Sequence, residues 1–187
     1  MTETDEQLIE LCKEGNDLAF QELVRRYSGA LYGFVRQYIR ALEDVEDVVQ
    51  DSFFKAWKNM RRFDSDKKFK PWLYTIARNT SLDHIKKKKA VSFSELDDND
   101  NDIQFADTLA DPEPIAHQLF EQAEIKKNLD TVLEILHPDH RAILIMHYHY
   151  DMTFDEIADS IGKSMNTVKS WHRRSLIKLQ KHMHPKT

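Results

Sequence analysis

The sequence predicts an all-α protein of two small helical domains joined by a flexible acidic linker, the C-terminal domain being a helix-turn-helix. Three observations lead there. Apolar residues recur at intervals of three and four in both ends of the 187-residue chain, without the strict alternation of strands. Only four glycines are present, which disfavours a large barrel or an extended parallel sheet. Residues 90–114 (AVSFSELDDNDNDIQFADTLADPEP) are polar and aperiodic with two prolines, so they cannot bury enough surface to fold alone. The expected domains are therefore residues 1–89 and 115–187, with 90–114 between them.

The N-terminal elements follow in order. Leu8, Leu11 and Cys12 form a first helical stripe, Ala19, Leu23 and Tyr27 a second, and Leu31, Phe34, Val35 and Tyr38 a third. A fourth stripe runs through Val45, Val48, Val49, Ser52, Phe53, Ala56 and Trp57, with Glu46, Asp47, Gln50 and Asp51 on the other side. Breaker residues cluster from Phe63 to Lys70. Pro71 suits the first turn of a helix, which Trp72, Leu73, Ile76, Ala77 and Ile85 continue into Lys86–Lys89.

In the C-terminal domain a long amphipathic helix is expected from about Ile115 to Leu136. Pro138 ends it before a shorter apolar helix from about Asp139 to Tyr148. Thr153 and Glu156 have capping-box spacing, ahead of the stripe Phe154, Ile157, Ala158 and Ile161. Gly162 supplies a turn, and Ser164 can cap a last helix with Val168, Leu176 and Leu179 inward. Helix, glycine turn and basic helix together form a helix-turn-helix.

The net charge of −5 hides a strong partition. Residues 55–89 hold twelve Lys/Arg against three Asp, a net +9; residues 91–118 hold eight acids and no Lys or Arg; residues 163–187 hold seven Lys/Arg and no acid. Two cationic segments around an acidic one suit a protein that meets a polyanion in two places. The single cysteine, Cys12, excludes an intramolecular disulfide, and the acidic start lacks the features of a signal peptide. No apolar run approaches the ~20 residues needed to cross a bilayer. The cytoplasm is the expected location.

The last helix presents Asn166, Thr167, Lys169, Ser170, Arg173 and Arg174 outward, side chains able to contact phosphates and base edges in a major groove. The +9 stretch interleaves Trp57, Phe63, Phe69, Trp72 and Tyr74 with its bases, as a surface for unpaired nucleic acid does. Core burial is the stronger expectation for Trp57 and Leu73, and a strand-facing role for Phe69 and Lys70 in the loop. The acids Asp47 and Asp51 read, on pattern alone, as a solvated helix face. His137, His140, His147 and His149 are read as surface or interface residues, because a proline and divergent helix faces break any zinc-ligand spacing. No catalytic motif, metal site, cofactor or small-molecule substrate is expected, so the chain reads as a non-enzyme. A stand-alone helix-turn-helix regulator is the alternative on these grounds.

Four motifs taken in order resemble the conserved regions of the sigma-70 family of bacterial RNA polymerase sigma factors, in its extracytoplasmic-function group. They are DVEDVVQDSFFKAW from Asp44, FDSDKKFKPWLYTIARNTSLDHIKKKK from Phe63, LHPDHRAILIMHYHYDMTFDEIADSIG from Leu136 and SMNTVKSWHRRSLIKL from Ser164. The resemblance implies that residues 1–89 bind core polymerase and melt the −10 element, and that residues 115–187 read the −35 element. It puts Asp47, Gln50 and Asp51 at the clamp of the largest polymerase subunit. It puts Phe69, Lys70, Trp72, Arg78 and Asn79 on the unpaired non-template strand, Arg61, Lys86 and Lys87 also at the −10 element, and Asn166, Thr167, Lys169, Ser170, Arg173 and Arg174 at the −35 element. The implied partners are core RNA polymerase, promoter DNA and an anti-sigma factor, commonly membrane-embedded in relatives. The acidic linker is expected to lie in a nucleic-acid channel of the polymerase, its acids mimicking phosphates. Either Trp171 or His172 faces the core, and the choice sets the phase of the DNA-facing surface. Asp151 replaces a turn glycine common in relatives, a position Asp can occupy because it tolerates the left-handed conformation better than most residues.

Overall fold

The computed structural model describes residues 3–91 and 133–183. Among them all regular structure is helical: α1 (Asp5–Lys13), α2 (Asp17–Val35), α3 (Leu42–Asn59), a 3-10 turn (Met60–Arg62), α4 (Phe69–Val91), α5 (Pro138–Tyr148), α6 (Phe154–Ile161) and α7 (Met165–Met183). The expected linker 90–114, and the expected helix from Ile115 as far as residue 132, lie outside the described residues apart from the last turn of α4.

Local chemistry sets most helix starts. Thr4 and Gln7 close a capping box on α1, and the Asn16 carboxamide accepts from the Leu18 and Ala19 amides at the start of α2. The second expected stripe and the third as far as Val35 are one continuous helix, which runs through Gly29 unbroken, and Tyr38 follows its end. Pro138 begins α5 instead of only ending the segment before it: its missing N–H costs nothing at the first position, and the His137 ring caps the Asp139 amide. α4 begins at Phe69, two residues ahead of Pro71. In the helix-turn-helix, Thr153 and Glu156 form the expected capping box, Gly162 closes α6 at φ 69° and the Ser164 hydroxyl accepts from the Thr167 amide. Asp151 is left-handed at φ 51°.

Packing joins the two halves. One contiguous buried cluster contains Leu8, Leu23, Phe34, Val48, Leu73 and Tyr74 of the N-terminal half and Ile143, Met146, Ile157 and Val168 of the C-terminal half. A smaller cluster of Leu133, Leu136, Leu144, Ile145, Leu176 and Leu179 holds α5 to α7. α6 packs along α4, so the start of the helix-turn-helix lies on the helix that carries the expected strand-facing residues.

Candidate nucleic-acid interface

Three surfaces carry the expected functional residues. On α3, Val45, Val48, Val49, Ser52, Phe53 and Ala56 are buried, which leaves Asp47, Gln50 and Asp51 exposed on the opposite side. Sequence reasoning missed Phe54, which is 53% exposed next to these residues and stacks on Trp57 with ring centroids 6.3 Å apart. Trp57 is itself 49% exposed, which corrects the expectation of core burial. It follows the buried Ala56 and lies to the side of the stripe, while Met60 and Phe63 further along the chain are buried. Lys58 holds its ammonium 4.9 Å from the Phe54 ring. The face is thus an acidic row ending in an aromatic pair.

The second surface is the start of α4. Leu73 is buried as expected, but Phe69 is only 3% exposed, which corrects its reading as a loop residue facing a strand. It is the first residue of α4 and meets the edges of Tyr27 and Phe63, with Trp72 half-buried beside it. Lys70 donates from its ammonium to the Tyr150 carbonyl. Arg78 donates from Nε and Nη2 to the two Asp139 oxygens at 2.9 and 2.8 Å, and the Tyr38 hydroxyl donates to Asp139 Oδ1 at 3.1 Å. Burial pushes the Asp139 carboxyl up, but the Arg78 and Tyr38 hydrogen bonds and the Arg78 charge outweigh it and hold the carboxyl below its usual range. Arg61, Asn79, Lys86 and Lys87 are exposed. They are not drawn together with Phe69 and Lys70: Arg61 lies in the 3-10 turn after α3, and α4 spreads Asn79, Lys86 and Lys87 over several turns.

The third surface is the outer face of α7. Val168, His172, Ser175, Leu176 and Leu179 are buried, a stripe of three- and four-residue spacing. His172 therefore faces the core, and Trp171 lies on the flank, against the His140 ring at 4.9 Å. That settles the phase: Asn166 and Lys169 are exposed, and Thr167, Ser170, Arg173 and Arg174 are partly exposed, away from the stripe. His172 Nε2 shares a 2.9 Å hydrogen bond with the Tyr148 hydroxyl. Burial, reinforced by His147, pushes the His172 imidazole down to about 4. Among the described residues no group of three potential metal ligands is present, and no helix is long and apolar enough to cross a membrane.

A helix-turn-helix with a basic outer face, next to a helix whose start carries aromatics and bases, defines a two-part DNA-binding factor. Comparison with known proteins makes this specific. Residues 23–91 match the family model "Sigma-70 region 2", and residues 126–179 match "Sigma-70, region 4". RNA polymerase sigma factor NccH of Alcaligenes xylosoxydans xylosoxydans is 32% identical over 94% of this chain and 92% of its own length. ECF RNA polymerase sigma factor SigW of Bacillus subtilis is 26% identical over 94% of each. Among solved structures, CnrH in complex with the cytosolic domain of CnrY superposes with a TM-score of 0.68 at 25% identity, covering 98% of this chain and 99% of that one. The chain belongs to the sigma-70 family of RNA polymerase sigma factors, in its extracytoplasmic-function group.

Proposed function

We propose that this chain binds core RNA polymerase and directs it to promoters, residues 1–89 engaging the polymerase and the −10 element and residues 115–187 the −35 element. Asp47, Gln50 and Asp51 contact the clamp of the largest subunit, and the neighbouring Phe54 and Trp57 add apolar area to that contact. Lys70, Trp72, Arg78 and Asn79 hold the unpaired strand, Phe69 supporting them from below, while Arg61, Lys86 and Lys87 neutralise phosphates. Asn166, Thr167, Lys169, Ser170, Arg173 and Arg174 enter the major groove. The chain acts in initiation rather than as an enzyme. It works in the cytoplasm, with core polymerase and DNA.

The observation that carries this reading is the outer face of α7: six polar or basic side chains oppose one buried stripe, in a chain whose two halves match the two sigma regions in order. CnrH, its structural neighbour, is solved with the cytosolic domain of CnrY, which supports an anti-sigma partner for this chain as well. Run-off transcription with core polymerase on a genomic promoter library tests the function. Start sites that require this protein are expected. Retardation of promoter DNA by the chain alone, with no dependence of transcription on it, would favour a stand-alone regulator instead.

A further inference from the structure

Residues 64–68 form the turn that leads into α4, so its course sets where the strand-facing surface begins. Its backbone closes on itself: the Asp64 carbonyl accepts from the Lys67 amide at 3.0 Å, and the Asp64 carboxylate from the Asp66 amide at 3.1 Å. All five residues are exposed and none reaches the core, so a neighbouring element must fix the turn's direction. α1 does so, from more than fifty residues earlier in the chain. The Ser65 hydroxyl donates to Glu10 Oε1 at 2.6 Å and accepts from the Lys13 ammonium, which also donates to that Glu10 oxygen at 3.2 Å. The three side chains thus close a triangle. The Ser65 hydrogen bond first, and that of Lys13 second, hold the Glu10 carboxyl below its usual range.

A second route leaves the same lysine. The Lys13 ammonium stands 5.9 Å from the centre of the Phe63 ring. Phe63 is buried and meets Trp72 at 4.7 Å and Phe69 at 6.2 Å between ring centroids. Leu8 and Ile9 seat α1 in the core, so Glu10 and Lys13 project from a fixed backbone. Contacts therefore run from α1 through Ser65 to the turn, and through Phe63 to Trp72. Neither Glu10 nor Lys13 nor Ser65 stands among the residues expected at DNA or at the polymerase.

We propose that α1 is a brace for capture of the unpaired strand: Glu10 and Lys13 are positioning residues that act through Ser65 and Phe63 to hold the 64–68 turn and Trp72 where the −10 element meets them. This rests on the reading that Trp72, at the start of α4, faces the unpaired strand. A surface that must meet a flexible strand gains affinity when its own side chains are already held in the binding arrangement, because less ordering remains to be done on contact. Without the triangle the turn would have only its internal hydrogen bonds to hold it on this side, and Trp72 would lose the support that reaches it from Lys13 through Phe63.

Holoenzyme assembled from core polymerase and the full-length chain tests the proposal. The probe is a fluorescein-labelled single strand carrying the non-template −10 sequence of a promoter recovered by run-off transcription. Ser65→Ala and Lys13→Met are each expected to weaken strand binding about fivefold, the net worth of a hydrogen bond of this kind, with melting temperature and co-purification with core polymerase nearly unchanged. The double variant is expected to lose no more than Lys13→Met alone, because both cut one tether. Ser65→Thr, which keeps the hydroxyl, is expected to bind the strand as the natural chain does. In Lys13→Met the slope of log affinity against log salt is expected to stay the same. A slope smaller by about 0.7, with additive losses, overturns positioning in favour of a direct phosphate contact. Melting temperature or core binding that falls in step with strand binding overturns it as general destabilisation. Strand binding unchanged in both single variants overturns it too, and Trp72→Ala then separates two cases. If that variant weakens binding, the strand-facing reading of α4 stands without the brace; if it has no effect, that reading falls as well.

Discussion

Acidification is expected to destabilise the C-terminal half through His172. The ring is 5% exposed among α5, α6 and α7, facing His147 and Tyr148 from α5 and Phe154 from α6. Burial first, and His147 second, push its imidazole from the ordinary 6.5 down to about 4. The folded chain refuses a proton that the unfolded chain accepts, so His172 costs nothing above about pH 6.5 and progressively more as pH falls toward about 4. At ~1.4 kcal/mol per pH unit the full loss is about 3 kcal/mol, a large share of a total stability of about 5 to 15 kcal/mol. Thermal unfolding followed by circular dichroism between about pH 7.5 and 4.5 measures it, comparing the natural chain with His172→Phe. The variant keeps a ring against Phe154 and has nothing to protonate at this position, while every other ionisable group is common to both proteins. The variant should lose less stability on acidification. Equal losses in the two would refute the assignment to His172.

Three further outcomes follow from the surfaces. Asp51→Lys is expected to reduce co-purification with core polymerase while leaving the melting temperature nearly unchanged, because Asp51 is exposed opposite the buried stripe of α3. Arg173→Ala with Arg174→Ala should weaken promoter use and lower the slope of log affinity against log salt by about two, as measured by holoenzyme binding over a salt series. Thr153→Ala removes the α6 cap and should cost about 1 kcal/mol in urea denaturation.

Much of the helical layout was legible in the chain because its signals are local. The Thr153–Glu156 box, the Gly162 turn and the Ser164 cap each depend on residues a few positions apart, and each appears as expected; Asp151, at a turn-glycine position by the family resemblance, is left-handed. Boundaries moved where a local signal had two readings. Pro138 serves the start of a helix as well as the end of the preceding segment, and the lone Gly29 does not break the stripes that merge into α2. Phe69 and Trp57 exchanged their expected environments for a different reason. Their exposure depends on how the helices pack: the rings of Tyr27 and Phe63 meet that of the buried Phe69, whereas Trp57 stacks on Phe54, itself exposed.

Periodicity, capping residues and charge partition were enough to establish a helical chain with two cationic surfaces and a helix-turn-helix, since each is written within a few turns of one helix. Tertiary contacts alone decided that His172 and not Trp171 enters the core, and that Asp139 meets Arg78 across 61 residues of sequence. They also decided that the Tyr150 hydroxyl reaches the Ala30 carbonyl beside Gly33. Adjacent positions on a helix differ by about 100° of arc, so either can face inward until a partner surface selects one. Pairing across the chain depends on where whole helices come to rest, which no local pattern encodes.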